Sequence, residues 1–143
     1  VFFKKNKISF INDSKATSFE ASKSCLTNYK NIIWILGGLK KDGDRFFLNR
    51  IKKNVIKAFI IGKDRNFFKK QLRGKIDYKE TLNLKNTVKH IYQELKFISL
   101  QKKKERIFVI FSPASASYDQ FNNFEERGNQ FKKLIINYAR KYF

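Results

Sequence analysis

The residues from Ser112 to Gly128, SPASASYDQFNNFEERG, combine hydroxyls, very small side chains and one proline in a pattern that suits neither an ordinary loop nor an ordinary helix. They follow Arg106 to Phe111, a short run whose β-branched and aromatic continuity is that of a strand covered on both faces. Pro113, the only proline in the chain, stops that strand. Ala114, Ser115, Ala116 and Ser117 then leave the backbone open to a ligand. Hydroxyls and free amides at the carboxyl end of a strand are what open α/β sheets use to bind ligands. A helix start after Ser117 would add a positive end for an anion. Two further segments carry polar groups after apolar runs: Asp13 to Thr17 (DSKAT) and Gly37 to Asp44 (GGLKKDGD).

Positioning these segments requires a regular alternation of strands and helices. Phe2-Phe3 and Ile8 to Ile11 read as two strands around a polar turn at Lys4 to Lys7. Ile32 to Leu36 and Val55 to Ile61 are apolar strands, and Trp34 is placed in the core. Ser18 to Asn28, Asp44 to Lys53, Asn66 to Arg73 and Asn83 to Leu100 are helical candidates. Phe124 to Tyr142 closes the chain as a helix, with Phe124, Phe131, Leu134, Ile135 and Tyr138 forming one apolar stripe. Strands separated by helices of this length imply an α/β fold with a mainly parallel sheet. The chain of 143 residues, 42% hydrophobic, suffices for one core and one domain, 1–143.

Three motifs, in order, resemble the D-glutamate-adding ligases of the Mur ligase family: Ile11-Asn12-Asp13-Ser14-Lys15-Ala16-Thr17, Gly37-Gly38-Leu39-Lys40-Lys41-Asp42-Gly43-Asp44, and the Ser112 to Gly128 segment. The resemblance implies a Rossmann-like, mainly parallel sheet with helices on both faces and an N-terminal hairpin strand. It further implies the last of three domains, the one that binds the incoming amino acid in peptidoglycan synthesis. No G-x-x-x-x-G-K-[ST] run is present to cradle ATP phosphates, and the chain opens at Val1, both of which fit part of an enzyme. The reaction implied is ligation through an acyl phosphate: ATP activates the carboxylate of UDP-N-acetylmuramoyl-L-alanine, and the D-glutamate amine attacks it. ATP and Mg2+ would be bound mainly by the other domains, with no catalytic residue and no metal ligand in this one.

By the same resemblance, Lys41 pairs with a carboxylate of D-glutamate, Thr17 and Ser117 donate hydrogen bonds to it, and Phe124 packs beside it. Asp13 and Lys15 belong to the nucleotide, near its ribose and phosphates. Each residue also has a plainer reading. Lys41 fits a solvated lysine, Phe124 a core position, Thr17 and Ser117 helix caps, and Asp13 an Asx-turn. Gly37 and Gly38 suit a sharp turn, and His90 has no nearby Cys or second His to support a metal or catalytic role. Two positions depart from the family pattern: Ser18 stands for an asparagine, and Ser115 for a cysteine often found between the two alanines.

Charge supports a rival reading. With 32 Lys and Arg against 12 Asp and Glu, the net charge of +20 is that of a nucleic-acid-binding module. The lysines, however, are spread along the chain, and Phe, Ile, Asn and Tyr are also abundant. Such a joint bias points to drift on solvated faces. The densest run, Lys102 to Lys104, reads as a solvated loop. Another amino-acid-adding ligase of the family is the other alternative, although Pro113 as sole proline excludes an Asn-Pro-containing diamino-acid signature. No apolar run approaches the roughly 20 residues that span a bilayer, and no leader opens the chain. A monomeric, cytoplasmic bacterial protein follows, without membrane or specific nucleic-acid partners. Cys25, the single cysteine, is read as a small buried hydrophobe.

Overall fold

The computed structural model describes residues 1–101, 105–116 and 121–142. In chain order the elements are β1 (Phe3–Lys5), β2 (Ile8–Asn12), α1 (Phe19–Leu26), β3 (Ile32–Gly37), a 3-10 turn (Lys52–Asn54) and β4 (Val55–Ile61). They continue as α2 (Arg65–Leu72), β5 (Tyr78–Glu80), α3 (Leu84–Gln101), β6 (Ile107–Phe111) and α4 (Phe124–Tyr142). One six-stranded sheet runs in the order β1-β2-β6-β3-β4-β5. All neighbours are parallel except β1 and β2, which form an antiparallel hairpin. The expected α/β architecture is therefore present, and the last strand sits between β2 and β3.

Both faces of the sheet are covered, as the apolar continuity of the central strands requires. Alternating side chains divide between two cores. Phe10, Ile33, Ile35, Phe59, Val109 and Phe111 meet Val88, Ile91 and Leu95 of α3 and Phe131 and Ile135 of α4. On the other face, Ile32, Trp34, Leu36, Ile60 and Ile110 meet Phe19 and Leu26 of α1 and Phe68 and Leu72 of α2.

Several elements differ from the sequence expectation. The hairpin turn is Asn6-Lys7 rather than Lys4 to Lys7, since Lys5 pairs with Ile8. Asn6 accepts the positive φ of 55° that this two-residue turn demands. Asp44 to Lys53 does not form an α-helix. Its buried residues are Phe46, Leu48 and Ile51, and a helix would send Phe46 and Leu48 to opposite sides. The segment instead crosses the sheet irregularly. Phe46 stacks on Phe19 with ring centroids 4.5 Å apart and meets Phe68 edge-on at 5.8 Å. Strand β5 was too short and too polar (Tyr-Lys-Glu) to be read from alternation. Phe124, the first residue of α4, is 39% exposed, so it is not a core residue.

Gly37 ends β3 at φ 121°, where a Cβ would overlap the carbonyl of Ile61 in the neighbouring strand. Gly37→Ala is expected to lower stability by about 3 kcal/mol or more, from backbone strain plus overpacking. Urea unfolding of the variant checks this; an unchanged midpoint would show that the two strands separate freely at this end.

Candidate functional site

Because β2, β6 and β3 are adjacent and parallel, the segments following their carboxyl ends emerge side by side. Backbone bonds stitch them together. Asp13 N–H donates to the Phe111 carbonyl at 2.8 Å and Gly37 N–H to the Pro113 carbonyl at 2.9 Å. Leu39 and Ala116 exchange both bonds, at 3.3 and 3.1 Å. Pro113 thus ends β6 and still supplies an acceptor. Ala114 adopts a positive φ of 55° where the chain turns.

A buried guanidinium fastens the same loops from below. Arg127, in the first turns of α4, is 1% exposed. Its Nη2 donates to the carbonyls of Ser14 at 2.7 Å and Ser115 at 3.0 Å, and Nη1 to Ser115 Oγ at 3.3 Å. Ser115 Oγ in turn donates to the Gly37 carbonyl. This serine therefore links β3, the β6 loop and α4. One residue on, a Cβ at Gly128 would overlap Ser14 Oγ and stand 2.7 Å from Asn12 Nδ2, so only glycine lets α4 approach the β2 loop this closely.

Asp13 is half-buried beneath this junction. Ser112 Oγ donates to its Oδ2 at 2.7 Å. Burial raises its pKa above the usual carboxylate value, partly offset by the Ser112 hydroxyl, the Lys15 charge and the Cys25 thiol. Cys25 is pushed up to about 12, first by burial and then by the Asp13 charge and hydrogen bond, which keeps it a thiol. It is half-buried and packs against the α1 core, close to its sequence reading as a small hydrophobe. The plainer reading of Asp13 as an Asx-turn is not borne out: its carboxylate accepts from Ser112, and the local side-chain bond to Ser14 N–H, at 3.2 Å, comes from Asn12 Oδ1.

The other expected site residues stand at the rim. Thr17, Lys15 and Lys41 are exposed. The N-cap of α1 is Ser18 rather than Thr17; its Oγ accepts from Ala21 N–H at 3.3 Å. That leaves the Thr17 hydroxyl outside the capping role. Lys41 opens a turn closed by Asp44 N–H to its carbonyl at 3.0 Å. Phe124 begins α4, one helical turn before Gly128 and on the same side. Ser117 lies outside the described residues, as does Lys102 to Lys104. α4 spans Phe124–Tyr142, as its spacing predicts, with Asn123 Oδ1 accepting from Glu126 N–H at 2.8 Å; a helix start directly after Ser117 falls outside the described residues. His90 stands apart on α3, 3.4 Å from Lys79 Nζ, and burial and neighbouring lysines lower its pKa.

Arg127 is the residue that the sequence reading passed over. The signal was present: Arg127, Phe131, Ile135 and Ala139 recur every four residues and all are buried, so the core stripe of α4 begins with a charge. Among the described residues no group of three or more His, Cys, Asp or Glu could hold a metal ion.

Arg127→Lys keeps the charge and loses the fork that reaches two loops at once. It is expected to cost about 2 kcal/mol or more, from lost hydrogen bonds to a charged donor. Chemical unfolding measures this directly; full stability with lysine would show that charge alone suffices.

No family model matches the chain. Curated relatives do match. The chain is 39% identical over 126 residues to the UDP-N-acetylmuramoylalanine–D-glutamate ligase of Wolbachia sp. subsp. Brugia malayi, covering 88% of this chain and 24% of that protein. It is 37% identical over 128 residues to the ligase of the same name from Wolbachia pipientis wMel, covering 90% and 24%. With that of Bartonella henselae the identity is 36% over 133 residues, covering 93% and 28%. The chain spans about a quarter of the length of these relatives. Matched along nearly all of its own length, it belongs to the UDP-N-acetylmuramoylalanine–D-glutamate ligase family.

Proposed function

We propose that this chain is the C-terminal, D-glutamate-binding domain of an ATP-dependent ligase that adds D-glutamate to UDP-N-acetylmuramoyl-L-alanine in peptidoglycan synthesis. The observation that carries this reading is the convergence of three polar loops at the ends of three adjacent parallel strands, in the arrangement by which open α/β sheets receive ligands. D-glutamate brings two carboxylates and an amine. Lys41 supplies the cation for one carboxylate, Thr17 and Ser117 supply hydroxyls, and Phe124, exposed at the start of α4, supplies an apolar wall. Asp13 and Lys15 face the nucleotide.

The domain's task is positioning. Held by its carboxylates, D-glutamate keeps its amine free to attack an acyl phosphate brought by the rest of the protein. Correct placement of two reactants contributes about 7 to 11 kcal/mol toward a reaction barrier. ATP supplies the phosphoryl group that activates the acceptor carboxylate. ATP phosphates and Mg2+ are, on this reading, bound mainly by other parts of the protein, as the sequence here holds no G-x-x-x-x-G-K-[ST] run. On this reading the 143 residues alone neither hydrolyse ATP nor ligate D-glutamate, and the protein works as a monomer in the bacterial cytoplasm.

The nucleic-acid reading gains little support from where the lysines fall. β1, α1, β4, α2, β5, α3 and α4 each carry at least one, whereas the central strands β2, β6 and β3 carry none. Charge distributed over so many elements makes few simultaneous phosphate contacts. No helix among the described residues is long and apolar enough to cross a membrane.

In the full-length ligase, Lys41→Ala is expected to raise the KM for D-glutamate about ten- to 150-fold, the equivalent of one hydrogen bond to a charged group. The KM for the nucleotide-sugar substrate should move much less. Ser117→Ala should act in the same direction and more weakly, because backbone amides share the anion. Unchanged D-glutamate kinetics in Lys41→Ala would make this lysine one more solvated charge.

A further inference from the structure

Asp44, the last residue of the Gly37 to Asp44 segment, joins two of the loops through its side chain. Its backbone N–H closes the Lys41 turn, whose third residue, Gly43, sits at φ 78°. Its side chain leaves that turn: Oδ2 accepts from the N–H of Phe19, the first residue of α1, at 2.9 Å and 25 positions away. Ser18 covers a different donor in the same helical turn, the amide of Ala21. The two side chains therefore divide the orphan amides of α1 between them. A half-buried carboxylate at this end of a helix is also favoured by the helix dipole.

The consequence for the site follows from sequence distance. Thr17 stands one residue before the cap of α1, and Lys41 stands at the other end of the turn that Asp44 closes. On its other side Lys41 is held by its neighbour, since Lys40 N–H donates to Asp64 Oδ2 at 2.8 Å. That second carboxylate ties the loop to the start of α2, whereas Asp44 ties it to α1. Below both, Phe46 stacks on Phe19 and gives the junction a rigid floor. Helix capping alone would be satisfied by any local acceptor. An acceptor brought from the Lys41 turn also fixes the separation of the two loops.

We propose that Asp44 is a positioning residue of the site: its hydrogen bond to Phe19 sets the backbone of Lys41 relative to Thr17, so that one D-glutamate molecule can engage both. The proposal rests on the D-glutamate reading for its ligand and on the Asp44 to Phe19 bond for its geometry. The test uses the isotope-labelled 143-residue chain, following backbone amide signals, thermal unfolding and titration with D-glutamate. Asp44→Ala is expected to shift the amide signals of Thr17, Phe19 and Lys41 together and to weaken D-glutamate binding about tenfold or more, as misplacement of a binding group does. Asp44→Asn keeps an oxygen acceptor and is expected to stay within about threefold of the parent in affinity. Asp44→Glu keeps both charge and acceptor on a longer arm. It is expected to fold and still bind about tenfold more weakly, which decides the matter if the alanine variant does not fold.

A lowered melting temperature with unchanged affinity in both Asp44→Ala and Asp44→Glu would reduce Asp44 to a cap and overturn the proposal. So would an asparagine variant as impaired as alanine, since charge would then matter and the hydrogen bond would not. If the parent chain gives no response to D-glutamate, the functional reading fails by itself. The amide signals of Thr17 and Lys41 then still decide whether Asp44 couples the two loops: movement together upholds it, and an unmoved pair refutes it.

Discussion

One buried cation holds the working end of this domain together. Desolvating a guanidinium costs several kcal/mol, which only well-made hydrogen bonds offset. Arg127 meets that requirement with acceptors from two different loops, the Ser14 carbonyl and the carbonyl and hydroxyl of Ser115. A planar fork suits such a task, because one rigid group fixes the direction of both bonds. The Phe111 ring, 5.8 Å from the guanidinium carbon, completes its surroundings. The backbone bonds from Asp13 to Phe111, from Gly37 to Pro113 and between Leu39 and Ala116 add to this junction. Ser115 can reach the Gly37 carbonyl because Arg127 holds it there, and Gly128 lets α4 come close enough for the arginine to extend.

The position of β6 gives the junction its reach. Inserted between β2 and β3, its end lies within hydrogen-bond distance of both neighbouring loops. Ser112 uses that place fully. Its carbonyl accepts from Trp34 Nε1 at 2.7 Å and from Ser22 Oγ at 3.2 Å, while its hydroxyl holds Asp13. A tryptophan buried in a strand needs a partner for its indole N–H, and here that need connects the core to the site. The side chains proposed to meet the ligand, Thr17 and Lys41, are thus exposed on a backbone that is anchored underneath. Such rigidity is what a site that works by positioning requires.

The sequence disclosed the parts of this design that follow a period or a motif. β3, β4 and β6 were legible as apolar runs, and α1, α2 and α3 as helical spacings. The site loops were legible because Gly37-Gly38, Asp13 to Thr17 and Ser112 to Ala116 interrupt those patterns. What escaped depended on contacts distant in sequence. The Asp44 to Lys53 segment contains residues compatible with a helix, but burial of Phe46 against Phe19 and Trp34 governs its path. Arg127 stands beside Glu125 and Glu126, and only its four-residue spacing from Phe131 marks it as inward. The plainer reading of Thr17 as a helix cap fails because the neighbouring Ser18 holds that place. The net charge of +20 was the least informative feature, since the central strands at the site contain none of the lysines.

The central claim, that the three loops form one stereospecific D-glutamate site, is tested most directly by titrating the labelled chain with D-glutamate and, separately, with L-glutamate. The account predicts saturable amide shifts confined to Thr17, Gly38 to Asp44 and the residues following Pro113, with the L-isomer producing clearly smaller changes. Shifts scattered over the lysine-bearing helices, equal for both isomers and lost with added salt, would mark non-specific attraction of an anion to a basic surface and contradict the account.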